Sequence, residues 1–340
     1  MTFTVKIRGW DTSISVEMGE TILASALAQD VPYPHGCRSG NCGACKSRLI
    51  DGEVEMAPYS EYALTQAEKD GGLILACRAV PWSDAEVAWL GEDDVALHPQ
   101  RRMTCRVVRA DSLTHDIKGF WLEIESGGPF TFSAGQYASV AFDGVPPRDF
   151  SMASRPDEPL LEFHVRHVAG GSASSYIARH MKVGDRVTVE GPFGGSHLRE
   201  NHRGPILAIA GGSGLAPMKA VVETALKAGM PQDIHLYFGA RDERDVYLED
   251  HFRALEKDHP NFRFHVVLSE PDGATARRTG FVTEAIAADF ADLDGFKAYL
   301  AGPPAMVEAV TPKLTERGLR DEDIHADAFY TEAEKQKAAS

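Results

Sequence analysis

Cys37, Cys42, Cys45 and Cys77 are the residues whose type and spacing most directly imply chemistry. The first three form C-x4-C-x2-C and the fourth stands well downstream, the ligand pattern of a plant-type [2Fe–2S] centre, in which four thiolates converge on two irons. Between them runs Cys37-Arg38-Ser39-Gly40-Asn41-Cys42-Gly43-Ala44-Cys45, where Gly40 and Gly43 let main-chain amides come up to the sulfurs. A cluster with four protein ligands has no position open for substrate, so its chemistry is the passage of single electrons. Zinc sites usually pair two short spacings, and this chain has one C-x2-C. Disulfides suit secreted chains, whereas the opening Met1-Thr2-Phe3-Thr4-Val5-Lys6-Ile7 alternates like a strand and does not resemble a signal peptide. Cys105, alone in an apolar stretch, reads as a buried thiol.

A second set of residues suits nucleotides. Ala210-Gly211-Gly212-Ser213-Gly214-Leu215-Ala216-Pro217 joins an apolar run to a helical pattern, a turn that brings a pyrophosphate against main-chain amides and a positive helix end. Pro217 stands where G-x-G-x-x-G has its last glycine, and Leu215 where a G-x-S-x-G elbow has its own. Gly170-Gly171-Ser172-Ala173-Ser174-Ser175-Tyr176 opens a helix and offers another place for a pyrophosphate. Arg148-Asp149-Phe150-Ser151 falls at the end of a barrel strand; alone it reads as a strand end with an exposed arginine. His164 and His167, three apart on a strand, point to opposite faces and do not form a metal pair.

Three segments position these residues. Residues 1–93 carry the cysteines, with alternating strands around Phe3–Ile7 and Ser13–Glu17 and a helix from Thr21 to Gln29. Residues 94–102 read as a linker that begins in the polar stretch after Gly91. Residues 103–200 hold short β-like runs at Cys105–Arg109, Ile117–Ile124, Tyr137–Phe142, Leu161–His167 and Arg186–Glu190, punctuated by Gly and Pro, which predicts a small antiparallel barrel. Residues 204–330 alternate strand and helix, including a helix over Asp245–Lys257, which predicts a parallel α/β sheet. A polar tail spans 331–340. The fold class is therefore multidomain: an α+β unit for the cysteines, an antiparallel β-barrel and an α/β parallel-sheet domain.

The 340 residues exceed one compact core, and the composition, 43% hydrophobic and 25% charged, is globular. A net charge of −15 argues against nucleic acid and anionic membranes as partners. No apolar run reaches transmembrane length, and few cysteines without a targeting segment predict a cytoplasmic protein.

Together the motifs resemble the ferredoxin–NADP⁺ reductase superfamily. The order of segments is similar to reductase components of bacterial ring-hydroxylating dioxygenase systems of the naphthalene dioxygenase type, over about Phe3 to Tyr330. The resemblance implies a β-grasp-like ferredoxin domain, an FAD-binding barrel and an NAD(P)-binding domain. It implies that Cys37, Cys42, Cys45 and Cys77 hold the metals. Arg148, Phe150 and Ser151 match R-x-[YF]-S, placing Arg148 at the flavin pyrophosphate, Phe150 against the ring system and Ser151 near N5. His164, Val165 and Arg166 match the strand along the ribityl and adenosine portion. Gly171, Ala173 and Ser174 match a G-x-M-S turn, with Ala173 in place of a frequent methionine. Gly212, Ser213, Gly214 and Pro217 match the turn that receives the nicotinamide dinucleotide. Gly302, Pro303 and Pro304 match C-G-P-P, with Ala301 in place of the cysteine that helps seat the nicotinamide. Phe329, in Asp327-Ala328-Phe329-Tyr330, matches an aromatic near the flavin and reads equally as a strand-end core residue.

The implied reaction takes hydride from NADH onto FAD and passes single electrons through the [2Fe–2S] cluster to a separate ferredoxin or a terminal oxygenase. At the end of the second α/β strand, Asp242 and Glu243 disfavour a 2′-phosphate, while Arg241 or Arg244 could bind one; the expectation is NADH, with NADPH possible. Reductases of di-iron monooxygenases and of a deoxysugar dehydratase share these cofactors. An iron–sulfur redox-sensing regulator would need a DNA-binding or signalling segment, for which the chain has no basic stretch.

Overall fold

The computed structural model describes residues 1–8, 13–31, 33–35, 38–40, 43–61, 63–90 and 98–331. The chain divides into two compact units, one of residues 1–97 with 193–195 and 330–340, the other of 98–192 and 196–329.

The first unit runs β1 (Thr2–Arg8), β2 (Ile14–Glu17), α1 (Ile22–Ala28), β3 (Lys46–Asp51), β4 (Val54–Met56), α2 (Gln66–Asp70), β5 (Leu73–Leu75), β6 (Ala79–Pro81) and β7 (Ala85–Trp89). Its main sheet has the order β2-β1-β7-β3-β5, with β1 and β7 parallel and the other pairs antiparallel. Val5, Ile7, Ile14 and Val16 alternate inward and meet Ile22, Leu23 and Ala26 of α1. Thr21 starts that helix by accepting the Ala24 amide (3.2 Å). This is the expected β-grasp arrangement.

The second unit holds two sheets. The first comprises β8 (Arg101–Ser112), β9 (Ile117–Ser126), β10 (Tyr137–Phe142), β11 (Arg148–Ser151), β12 (Leu161–Arg166), α3 (Ser172–Arg179) and β13 (Arg186–Phe193). The strand order is β11-β10-β13-β8-β9-β12, and an antiparallel bridge between Met152 and Phe163 brings the two edges of this near-barrel together. Two expectations change here. Arg101 and Arg102 belong to β8 rather than to a linker, because they pair with Gly191 and Glu190. Arg148–Ser151 is a strand of its own, antiparallel to β10, rather than the end of another.

The second sheet follows with β14 (Ile206–Gly211), α4 (Leu215–Lys227), β15 (Ile234–Ala240), α5 (Glu249–Asp258), β16 (Phe262–Leu268), β17 (Arg278–Thr279), α6 (Val282–Asp289), β18 (Lys297–Gly302), α7 (Pro304–Thr315) and β19 (Ile324–Ala328). The order β17-β16-β15-β14-β18-β19 is parallel throughout. The helix expected from Asp245 begins at Glu249, because Asp242 and Asp245 close a capping box around a separate short turn, Glu243–Asp245. Strand order reverses between β14 and β18, so their carboxyl ends border a topological switch point.

Candidate functional site

In the first unit, Cys45 and Cys77 are buried, at 3% and 5% exposure, and the Cys77 amide is aimed at Cys45 Sγ (3.5 Å). An amide directed at a thiolate sulfur is a group that tunes an iron–sulfur centre. Gly40 has φ +76°, and a Cβ there would meet Tyr59 and Arg78 side chains at 2.9 Å, so the loop closes only around glycine. Two buried thiols, Cys45 at the end of a glycine-shaped loop and Cys77 between β5 and β6, fit a cluster. Cys37 and Cys42 lie outside the described residues. Cys105 sits in β8 at 0% exposure, and burial pushes its thiol up to about 12, so it stays protonated.

In the second unit, Gly212–Gly214 forms one 3₁₀ turn from β14 into α4, and Ser213 lies within it. A Cβ at Gly214 would run into the Ala301 carbonyl, so this glycine serves close packing of the turn on β18. Pro217 occupies the first turn of α4, where its missing N–H costs nothing. Gly302 ends β18 and Pro303 precedes α7, placing both across the switch point from Gly212–Gly214. Neither α3, which starts after Gly171, nor α4 has a side-chain acceptor on its first amides. Such amides suit an anion. Ala173 is buried, and Ser174 Oγ accepts the Val168 amide (3.2 Å), which closes the loop before α3.

The R-x-[YF]-S residues lie along β11, where Phe150 is half-buried and packs on the barrel core. Ser151 Oγ donates to Asp327 Oδ2 (2.7 Å) on β19. Sequence reasoning missed Asp327, although its tetrapeptide was singled out, because a contact across 176 positions leaves no local signal. Phe329 directs its amide to the Gly302 carbonyl (2.9 Å) and packs against the α/β core.

Along β12 the structure redistributes what the sequence grouped together. Val165 points into the barrel core, so only its main chain can face a cofactor. The His164 ring is fully enclosed, with Nε2 2.9 Å from Glu162 Oε1 and Nδ1 3.3 Å from the Tyr247 hydroxyl. Arg166 Nε donates to Asp116 Oδ2 (2.7 Å), and a Cβ on Gly212 would come within 2.8 Å of Arg166 Nη1, so this guanidinium lies over the Gly212–Gly214 turn. Burial raises the Asp116 carboxyl, and the Arg166 hydrogen bond and charge more than reverse this, leaving it lowered. Arg241, more than half exposed, lies 3.9 Å from both Asp116 Oδ2 and Asp245 Oδ2. Arg244 lies 3.9 Å from Asp242. Glu243 accepts from Thr275 Oγ1 (2.8 Å) and Arg277 Nε (2.7 Å), which keeps its carboxyl lowered.

Comparison with known proteins identifies three domains. Residues 5–81 match the 2Fe-2S iron-sulfur cluster binding domain, 104–197 the oxidoreductase FAD-binding domain and 208–311 the oxidoreductase NAD-binding domain. The chain is 40% identical to the ferredoxin–NAD(P)⁺ reductase component of the naphthalene 1,2-dioxygenase/salicylate 5-hydroxylase systems of a Ralstonia species, over 93% of this chain and 95% of that one. It is 36% identical to the phenol hydroxylase P5 protein of Acinetobacter pittii, over 98% and 96%. Its fold is similar to the crystal structure of an Amycolatopsis cytochrome P450 reductase, with a TM-score of 0.78, 35% identity and coverage of 96% and 99%.

Proposed function

From the premise that the chain belongs to the ferredoxin–NAD(P)⁺ reductase components of ring-hydroxylating oxygenase systems, with [2Fe–2S], FAD and NAD(H) as cofactors, we infer how its own residues divide the work. FAD, when bound, lets a two-electron hydride donor supply a one-electron centre. Cys37, Cys42, Cys45 and Cys77 hold the cluster. Arg148, Phe150 and Ser151, with the main chain at His164, Val165 and Arg166 and the α3 turn at Gly171, Ala173 and Ser174, hold the flavin. Gly212, Ser213, Gly214, Pro217, Gly302 and Pro303 receive the dinucleotide, with Arg241 at its adenosine end. Segments 1–93, 103–200 and 204–330 carry these three tasks.

One observation supports this division: β19, the neighbour of β18, carries Asp327, which accepts from Ser151 of the barrel at 2.7 Å. The barrel strand assigned to flavin and the sheet assigned to nicotinamide thus share a hydrogen bond. Asp327 orients the Ser151 hydroxyl, and Phe329 borders the same sheet.

The electron acceptor is a ferredoxin or an oxygenase, and we assign an aromatic-ring-hydroxylating system in the cytoplasm. The phenol hydroxylase relative supports a di-iron monooxygenase as the second reading. NADH is the preferred donor, because Asp242 and Glu243 put negative charge where a 2′-phosphate would bind. Among the described residues, no helix is long and apolar enough to cross a membrane. A visible spectrum followed by NADH titration tests the reading: flavin and iron–sulfur bands must both be present and both bleach. Rates with candidate acceptors choose between partners, and a higher kcat/KM for NADPH than for NADH would reverse the cofactor assignment.

A further inference from the structure

Barrel strand β12 carries two ionisable side chains that are sealed against the nicotinamide-binding sheet and its helices. Glu162 and His164, two apart and so on one face, are 6% and 4% exposed. Opposite them, Lys219 and Glu223 lie one turn apart on α4 at 7% and 6% exposure. Lys219 Nζ donates to Glu162 Oε2 (2.9 Å), to the Ala153 carbonyl (3.1 Å) and to Glu223 Oε2 (3.3 Å). Glu223 also lies 2.6 Å from His251 Nε2 and 3.5 Å from Arg155 Nη1. On the other side of Glu162, His164 reaches Tyr247, whose hydroxyl lies 3.3 Å from Nδ1 and donates to the Gly212 carbonyl at 3.4 Å. A continuous polar path therefore runs from α4, through the barrel strand, to the first residue of the nucleotide turn.

Taking four ionisable groups out of water is costly, and a well-packed apolar replacement of a buried ion pair is often neutral or stabilising. Stability alone therefore gives little reason to keep such a cluster, whereas a directional network admits one register between the surfaces it joins. We propose that Glu162, Lys219, His164 and Tyr247 are positioning residues that hold the Gly212 end of the nucleotide turn in register with the flavin barrel. The proposal rests on the reading of Gly212–Gly214 as the dinucleotide turn. It gives the His164 ring a task distinct from touching a cofactor: with Nε2–H donating to Glu162, Nδ1 is an acceptor that shares the single Tyr247 hydroxyl proton with the Gly212 carbonyl and so keeps the hydroxyl beside Gly212.

Tyr247→Phe in the holoprotein is the sharpest test. It keeps the ring that packs edge-on to Phe238 (5.7 Å) and His164 (5.5 Å) and removes only the hydroxyl. Loss of one neutral hydrogen bond predicts about two- to tenfold weaker NAD⁺ binding by calorimetry and a similar slowing of flavin bleaching by NADH. The melting temperature is expected to stay within about 4 °C of wild type. The double variant Glu162→Gln/Lys219→Met removes both charges of that pair while Glu223 keeps His251 and Arg155, and should fold with both cofactor spectra intact, yet lose NAD⁺ affinity to a similar extent. Wild-type NAD⁺ affinity and bleaching rate in Tyr247→Phe, or in a folded double variant, would overturn the proposal, whatever happens to melting. Absence of NAD⁺ binding by the unaltered protein would instead remove the dinucleotide reading beneath it.

Discussion

The cluster loop and the nicotinamide crevice both depend on glycine and on main-chain amides, yet they are assembled over very different distances along the chain. Around the proposed cluster site, Cys37, Cys42 and Cys45 fall within nine residues of sequence, and the glycine-shaped backbone at Gly40 closes on Tyr59 and Arg78, 19 and 38 positions on. In the crevice, Gly214 packs on Ala301, Ser151 on Asp327 and Arg166 over Gly212, each pair drawn from segments far apart in sequence. Side-chain ligands that must converge on metals leave their spacing in the sequence. Surfaces that must meet across two sheets leave almost none.

The largest expected effect tests whether those two sites are separable. Cys77→Ser removes one of the four thiolates proposed to hold the cluster. It should abolish the iron–sulfur bands and reduction of a protein acceptor, while NADH still bleaches the flavin at close to the wild-type rate. Joint loss of both activities in a folded protein would show that the two units do not work in series. Next in size is Asp327→Ala, which leaves Ser151 without its carboxylate partner. A hydrogen bond to a charged group contributes about 1.5–3 kcal/mol. Flavin bleaching by NADH should therefore slow roughly ten- to a hundredfold, with the cluster spectrum unchanged.

That pair also marks the limit of what the sequence made legible. The first two strands of the β-grasp unit, α1, Tyr137–Phe142, Phe262–Leu268 and the alternation after Gly204 were readable because apolar periodicity is local, whereas β3 to β7 are too short or irregular to show it. Arg148–Ser151 was harder to assign as a strand, since four residues with two charges carry no periodic signal. Lys219 and Glu223 left one trace: an i, i+4 pair of opposite charges in the otherwise apolar first nine residues of α4. Their partners Glu162 and His164 left none, because a charged residue in a strand reads as solvated until the facing sheet is known.

Acid titration should separate the units by a smaller margin. Six histidines of the second unit, His98, His164, His202, His235, His265 and His325, have a lowered pKa, each chiefly by burial. A histidine held neutral in the fold binds its proton more readily once unfolded, so its contribution is complete above about pH 6.5 and is lost as pH falls toward the folded value. Glu162 follows in a lower window. Burial pushes its carboxyl up, but the His164 hydrogen bond and the charge of Lys219 bring it down to about 2, so its contribution is lost between about pH 4.3 and 2. Thermal flavin release should therefore shift to lower temperature from pH 7 to 5 more than thermal cluster bleaching does. Equal shifts would contradict the assignment of acid sensitivity to the second unit.

The smallest effects concern how helices begin, where the two units differ again. Helix α1 is capped by Thr21, whereas α3 begins at Gly171 with no side-chain acceptor, although Gly171 has the extended backbone (φ −74°, ψ 123°) of a good cap. Thr21→Ala should cost about 1 kcal/mol of stability in the first unit and leave FAD affinity alone. Gly171→Asp should act in the opposite sense. Its Cβ would press on Ser174 Oγ, the end of a rotatable side chain, and its carboxylate would occupy the α3 amides. The flavin-free protein would then gain a few tenths of a kcal/mol, the usual difference between Gly and Asp caps. FAD would bind more weakly, because the new carboxylate competes with and repels the pyrophosphate at the same amides. Unchanged FAD affinity in Gly171→Asp would mean that α3 lacks a side-chain cap for reasons unrelated to the cofactor.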